Sequence, residues 1–223
     1  MSIVLPVLRR WAPLLVLSVL LGGCSLSSLI SSGPAPDLYT LTPATPDAGA
    51  LAATRAQLVV MPFSTAGALD TDRIALQPNP LELKYYADAR WNDTVPLLVQ
   101  SLTVASLQNM NRFGGVSRLA TALRADYAIS GDIRAFAIDR SQGGTGVARL
   151  EVLVSLSGQN DLRTVATRDF TSSVRVGGEG KMLDVVTAYN QALTPMLNDI
   201  SLWTLGEISK DQAAHPLDRT SSR

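Results

Sequence analysis

The chain has one cysteine, one histidine, few aromatic residues and no excess of charge of either sign, and each shortage removes a class of function. A single cysteine, Cys24, cannot form an intramolecular disulfide, so a disulfide scaffold is excluded. With His215 as the sole histidine there is no His/Cys cluster to hold a transition metal, and no metal or other cofactor is expected. A serine hydrolase needs a histidine beside its serine, and the one available stands in a polar tail next to Pro216. Lys plus Arg equals Asp plus Glu at 19 each, so no cationic excess is available to neutralise phosphates, and nucleic acid is set aside as a partner. The 223 residues, 46% hydrophobic and 17% charged, suffice for one compact core and fall short of two full domains.

The longest apolar run is at the N-terminus. Arg9 and Arg10 form a short basic patch, "WAPLLVLSVLL" follows, and Gly22-Gly23 closes the segment. A basic start, an apolar stretch of about 7 to 15 residues and small residues at the end mark a secretory signal. The alternative is an uncleaved membrane anchor, but Pro13 interrupts the run and no basic stop follows it, so export is the better reading. Leu21-Gly22-Gly23-Cys24 resembles a bacterial lipobox, which predicts cleavage between Gly23 and Cys24 and thioether attachment of diacylglycerol to the Cys24 thiol. Lipid contributes about 0.8 kcal/mol per buried methylene, so several chains hold a protein on a bilayer almost permanently. In lipoproteins of this type an Asp after the cysteine retains the protein at the inner membrane. Ser25 stands there instead, which points to the periplasmic side of the outer membrane. Cleavage removes two basic residues and no acidic ones, leaving a net charge of −2.

Four regions are expected: signal peptide 1–23, lipidated cysteine with a Ser/Gly/Pro tether 24–36, a folded domain 37–209, and a disordered tail 210–223. Within the domain, "DLYTL" reads as an edge strand, "AQLVVMPF" as a buried strand, and "RIALQ" and "LELKYY" as two strands separated by a "PNP" turn. Val95, Leu98, Leu102 and Ala105 repeat at helical spacing, and the glycines of "NRFGG" are expected to stop that helix. "ADYAISGDIRAFAID", "VARLEVLVSLSG" and "TVATRDFTSSVRV" predict an antiparallel meander. A last helix over about 181–208 is expected to cover it with a stripe of Leu183, Val186, Tyr189, Leu193, Leu197 and Ile200. The fold class expected is α/β: one compact domain with a mixed, largely antiparallel sheet packed by two main helices.

"VGGEGKML" lies between a strand and a helix, where phosphate loops occur. The loop pattern requires a glycine where Arg175 stands and a Ser or Thr where Met182 stands, so a flexible turn is the reading adopted. Asp70, Asp72, Asp88 and Asp93 are close in sequence, but solvated loop acids far outnumber catalytic pairs, and no enzyme is expected. Tyr85, Tyr86 and Trp91 are concentrated in "LELKYYADARWND", although aromatics make up only 5% of the chain. Two readings stand: Trp91 closes the core at the helix entrance with a tyrosine beneath it, or the three residues contact a partner.

"LYTL", "LVVMPF", "ALDTDRIAL" and above all "YYADARWNDTVPLLVQSLTVASL", with the later "ADYAISGDI" and "ATRDF", make the chain similar to the auxiliary lipoproteins of ABC-type transport systems, the group of paraquat-inducible protein C. The resemblance spans most of the mature chain. It implies a compact mixed α/β domain, a partner protein with mammalian-cell-entry (MCE) domains, lipid or hydrophobic cargo moved across the envelope, and self-assembly into rings. It carries no catalytic residues. A different class of function, an assembly lipoprotein that binds another envelope protein or peptidoglycan, fits the same anchor.

Overall fold

The computed structural model describes residues 35–118, 125–159, 161 and 163–215. Cys24, Gly23, most of the tether and residues 216–223 lie outside them.

The strand β7 (Tyr127–Asp139) organises the sheet. Along one edge it pairs antiparallel with β8 (Val147–Gly158), and β8 pairs antiparallel with β9 (Thr164–Arg175), so the expected meander is present. Along its other edge β7 takes three parallel neighbours in succession: β2 (Gln57–Val60), β3 (Ser64–Thr65) and β4 (Arg73–Asn79). β4 forms a hairpin with β5 (Glu82–Trp91), and β1 (Asp37–Tyr39) lies parallel to the end of β5. β6 (Gly115–Arg118) adds to β2. The result is a nine-stranded mixed sheet in which the longest ladders are antiparallel.

Strict alternation builds the centre. Ala148, Leu150, Val152, Val154 and Leu156 of β8 are buried on one face, while Arg149, Glu151 and Leu153 alternate with them on the other. Two helices cover the apolar face: α1 (Val95–Asn109) and α2 (Met182–Ala214). α2 applies Val185, Tyr189, Leu193, Leu197, Ile200, Thr204 and Ile208 to the core at three- and four-residue steps. It continues through Pro195.

α1 buries polar side chains as well, and each finds a partner. Gln100 Nε2 donates to the Val60 carbonyl at 2.8 Å, and Thr103 and Ser106 donate to carbonyls one turn back. The Ser106 hydroxyl also accepts the Ala44 N–H at 2.9 Å, which fastens the irregular segment after β1 against the helix.

Three expectations are corrected, and one strand is added. The glycines of "NRFGG" do not stop α1; the chain reverses at Asn111, in a left-handed conformation with φ of 51°. Gly114 instead lets the backbone pass against the Arg55 carbonyl, and Gly115 begins the unexpected strand β6. Leu183 leaves the α2 stripe: it is 69% exposed, because the first turn packs on the core through Met182 and Val185, which puts Leu183 on the outer side of the helix. The region beyond Lys210 is not all tail, since α2 runs on to Ala214 and its Asp211 is tied to the domain.

Candidate partner surfaces and the aromatic centre

β5 places the three aromatic residues in three different environments. Arg73 is level with Arg90, but Ala75 is level with Tyr85, so β5 carries extra residues between these points and bulges through Tyr86–Ala89. This bulge separates Tyr85 from Trp91 in orientation as well as distance along the strand.

Trp91 is 1% exposed and sits at the centre of the core. Its ring meets Tyr189 edge-on at 5.0 Å between centroids and Phe136 at 6.0 Å, and Phe136 stacks on Tyr189 at 5.1 Å. One ring thus comes from each of β5, α2 and β7. Trp91 offers no surface to a partner in this fold, and of the two readings its position favours the core. The indole Nε1–H is buried without a hydrogen-bond partner.

Tyr86 packs partly buried beside this core, and its hydroxyl too lacks a partner. Burial pushes that hydroxyl above its ordinary value, against the charge of Arg140. Tyr85 lies on the opposite face of the sheet, in a small cluster with Leu69, Ala75 and Ala137. Its hydroxyl donates to the Ala68 carbonyl at 2.7 Å, and the Arg73 guanidinium stands 4.2 Å above its ring. Of the three residues, Tyr85 and Tyr86 retain exposed surface.

The rest of that outer face is polar. Arg134 bonds Asp169 at 2.8 Å and lies 3.7 Å from Asp132, Ser155 and Thr167 share a hydroxyl contact of 3.1 Å, and Arg149 lies 3.5 Å from Glu151. A groove of about 310 Å³ lined by Arg149, Leu150, Glu151, Thr171, Ser172 and Ser173 runs over β8 and β9. It holds one cation and one carboxylate already paired with each other, which is not a general acid and base facing a common substrate. The acids of the 70–93 region have structural tasks where they have any: Asp72 pairs with Arg90 at 2.8 Å, and Asp93 accepts the Thr94 N–H at the start of α1. Among the described residues no group of three or more His, Cys, Asp or Glu is arranged to hold a metal ion. No described helix is long and apolar enough to cross a membrane.

The glycine-rich stretch before α2 is a turn. Asp184 accepts the Lys181 N–H at 3.1 Å, and Gly178, at φ of 57°, leaves room for that carboxylate. At the other end of α2, Asp211 accepts hydrogen bonds from Arg163 at 2.7 Å and from Tyr127 at 2.9 Å, with His215 Nδ1 3.4 Å away. Burial opposes ionisation of Asp211, yet the bonds from Arg163 and Tyr127 hold its carboxyl below the ordinary value. Burial and the Asp211 carboxylate push the Tyr127 hydroxyl well up.

These features define a mixed α/β domain with its apolar weight concentrated in the core. The chain belongs to the family of ABC-type transport auxiliary lipoprotein components, whose description matches residues 39–201. That family is one of transport components and not of enzymes. The fold is similar to the crystal structure of a protein from Xanthomonas campestris, with a TM-score of 0.73 at 27% identity over 79% of this chain and 99% of that one. It is also similar to an uncharacterised protein, with a TM-score of 0.58 at 14% identity over 78% of this chain and 99% of that one. No curated protein matches the sequence.

Proposed function

We propose that the protein is a lipid-anchored, non-enzymatic component of an MCE-type transport system that moves lipids or other hydrophobic compounds across the cell envelope. The observation that carries this reading is the conjunction of the family match over residues 39–201 with "LGGC" ahead of it. In this reading the signal segment 1–23 is removed and Cys24 becomes the lipidated first residue. The chain through Pro36 is the tether, and the domain runs from Asp37 to the end of α2 at Ala214. Ser25 after the cysteine supports the periplasmic leaflet of the outer membrane. The partner is a protein with MCE domains, and several copies of the chain form a ring against it. The partly exposed Tyr85 and Tyr86 are the partner contacts retained from the aromatic cluster, since Trp91 is enclosed.

Two measurements test the reading. Cys24→Ser is expected to leave an uncleaved precursor free of thioether-linked lipid, detected by mass spectrometry of the N-terminal peptide. Normal lipidated protein recovered from that mutant would overturn the anchor. Crosslinking in intact envelopes is expected to join the chain to an MCE-domain protein. Absence of that adduct while the MCE protein is abundant would remove the transport partnership.

A further inference from the structure

Three chain reversals meet at one end of the sheet. They are the β4–β5 turn at Pro80 and Leu81, the β7–β8 turn over 140–146, and the β9–α2 link over 176–181. A run of hydrogen bonds joins them into one apex. The Gln77 side chain donates to the Pro80 carbonyl at 3.3 Å, and the Arg140 N–H donates to the Gln77 carbonyl at 2.9 Å. Arg140 Nε then reaches the Thr145 carbonyl at 3.2 Å, and the Thr145 hydroxyl reaches the Val176 carbonyl at 2.6 Å.

Two leucines stand out from this apex. Leu81 is 98% exposed at the tip of the hairpin, and Leu183 projects from the first turn of α2. Folding accounts for neither side chain. The β4–β5 turn is held by Asn79, which accepts the Leu81 N–H at 3.0 Å and donates to Glu82 at 2.8 Å, and two-residue hairpin tips favour Asn and Gly over apolar residues. At α2 the core is met by Val185 and Val186, and the helix start is fixed by Asp184. Lys84 pairs with Glu82 at 2.7 Å and Lys181 with Glu179 at 2.6 Å, so the lysines beside the two leucines are neutralised locally and the leucines are the apolar contacts of the apex.

The direction of the chain indicates which surface. β1 runs parallel to β5, with Asp37 level with Ala89, and β5 starts at the apex. Pro36 is therefore on the apex side of Asp37, and because Asp37 is seven positions along β5 from Glu82, the tether has about 20 Å to cover back along that strand to the apex. Only twelve positions separate Cys24 from Pro36, and a flexible chain of that length spans about 20 Å on average. We infer that the apex is a bilayer-contact surface, with Leu81 and Leu183 inserted at the headgroup boundary of the membrane that holds the Cys24 lipid. The inference rests on the anchor reading above. Two tips inserted beside a lipid anchor would fix the orientation of the domain, turning its other end, with the C-terminal part of α2, away from the bilayer.

The test uses the full lipidated chain on vesicles of phosphatidylethanolamine and phosphatidylglycerol. Cys24 is the sole cysteine and, as a thioether, does not react with thiol probes, so Leu81→Cys, Leu183→Cys and Thr167→Cys each supply a unique labelling site. Thr167, exposed on β9 away from the apex, is the control. A polarity-sensitive fluorophore at 81 and at 183 is expected to shift its emission to the blue and to be quenched several-fold more by acyl-brominated phospholipid than the same probe at 167, with no loss in high salt. Probes at 81 and 183 that report water on vesicle-bound protein would overturn the inference, as would equal quenching at all three sites. Protection of the two apex probes only when an MCE-domain protein is added would assign the apex to a protein and overturn bilayer contact. Labelling of the unmutated chain at Cys24 would bring down the anchor and, with it, the bilayer inference; wet apex probes on an unlabelled wild type would bring down the inference alone.

Discussion

Replacing Trp91 separates its two candidate roles. The ring is fully enclosed and makes edge contacts with Tyr189 and Phe136, so Trp91→Ala removes a large core side chain and is expected to cost about 3–5 kcal/mol. For a chain of this size each kcal/mol lowers the melting temperature by about 2–4 °C, giving a fall of roughly 6–20 °C. Trp91→Phe is expected to behave differently. At about 24 cal/mol per Å³, a residual void on the order of 40 Å³ costs about 1 kcal/mol. Against this, the substitution removes the unpartnered buried Nε1–H, whose desolvation costs about 1–3 kcal/mol. The two effects offset, and Trp91→Phe should melt within a few degrees of wild type. Thermal and urea unfolding followed by circular dichroism measures both variants. A Trp91→Ala protein that melts like wild type yet loses its envelope crosslinks would refute the core role. A Trp91→Phe protein as unstable as Trp91→Ala would refute the argument from the orphaned donor.

The Asp211 clamp predicts a pH window for the end of α2. Its carboxyl is held below the ordinary value, so its contribution is complete above the unfolded value of about 3.9 and is lost as pH falls through the lower folded value. The Tyr127 hydroxyl is shifted upward, so its contribution is complete below about pH 10 and is lost as pH rises beyond that. Amide exchange over the last turns of α2 should accelerate at both extremes, and Asp211→Asn should remove the acid-side dependence; protection unchanged down to about pH 3 would contradict the clamp. Gly114→Ala would drive a Cβ into the Arg55 carbonyl and disturb the β2–β6 ladder, at a cost of about 1–3 kcal/mol by urea unfolding. An unchanged midpoint would show that the backbone can move aside there.

Much of the fold could be read from periodicity, because burial imposes a period of two on a half-covered strand and of 3.6 on a covered helix. Ala148, Leu150, Val152 and Val154 announce β8, and Tyr189, Leu193, Leu197 and Ile200 announce α2. β6 was not legible: "GVSR" carries no alternation, and the strand exists because residues 57–60 present an edge to it. Leu183 is three residues before Val186 and so fits the spacing of the stripe, but the first turn meets the core through Met182 and Val185 and leaves Leu183 on the outer side of the helix. Asp211 looks like a tail residue until Tyr127 and Arg163 arrive beside it from distant parts of the chain.

The same division holds for the functional residues. The proposed lipobox is a pattern of consecutive residues, so the expectation for Cys24, its glycines and the apolar run before it could be drawn from the sequence, as could the charge balance and the lack of a histidine pair. "YYADARW" identifies the family without disclosing what each aromatic residue does. The β5 bulge decides where each of them lies, sending Trp91 into the core and Tyr85 to the opposite face, and the tertiary fold leaves Leu81 and Leu183 exposed at one end. Local patterns record which enzymes and solvents a segment meets. Which side chains remain free to meet a partner depends on contacts between residues far apart in the chain, and those exist only once it has folded.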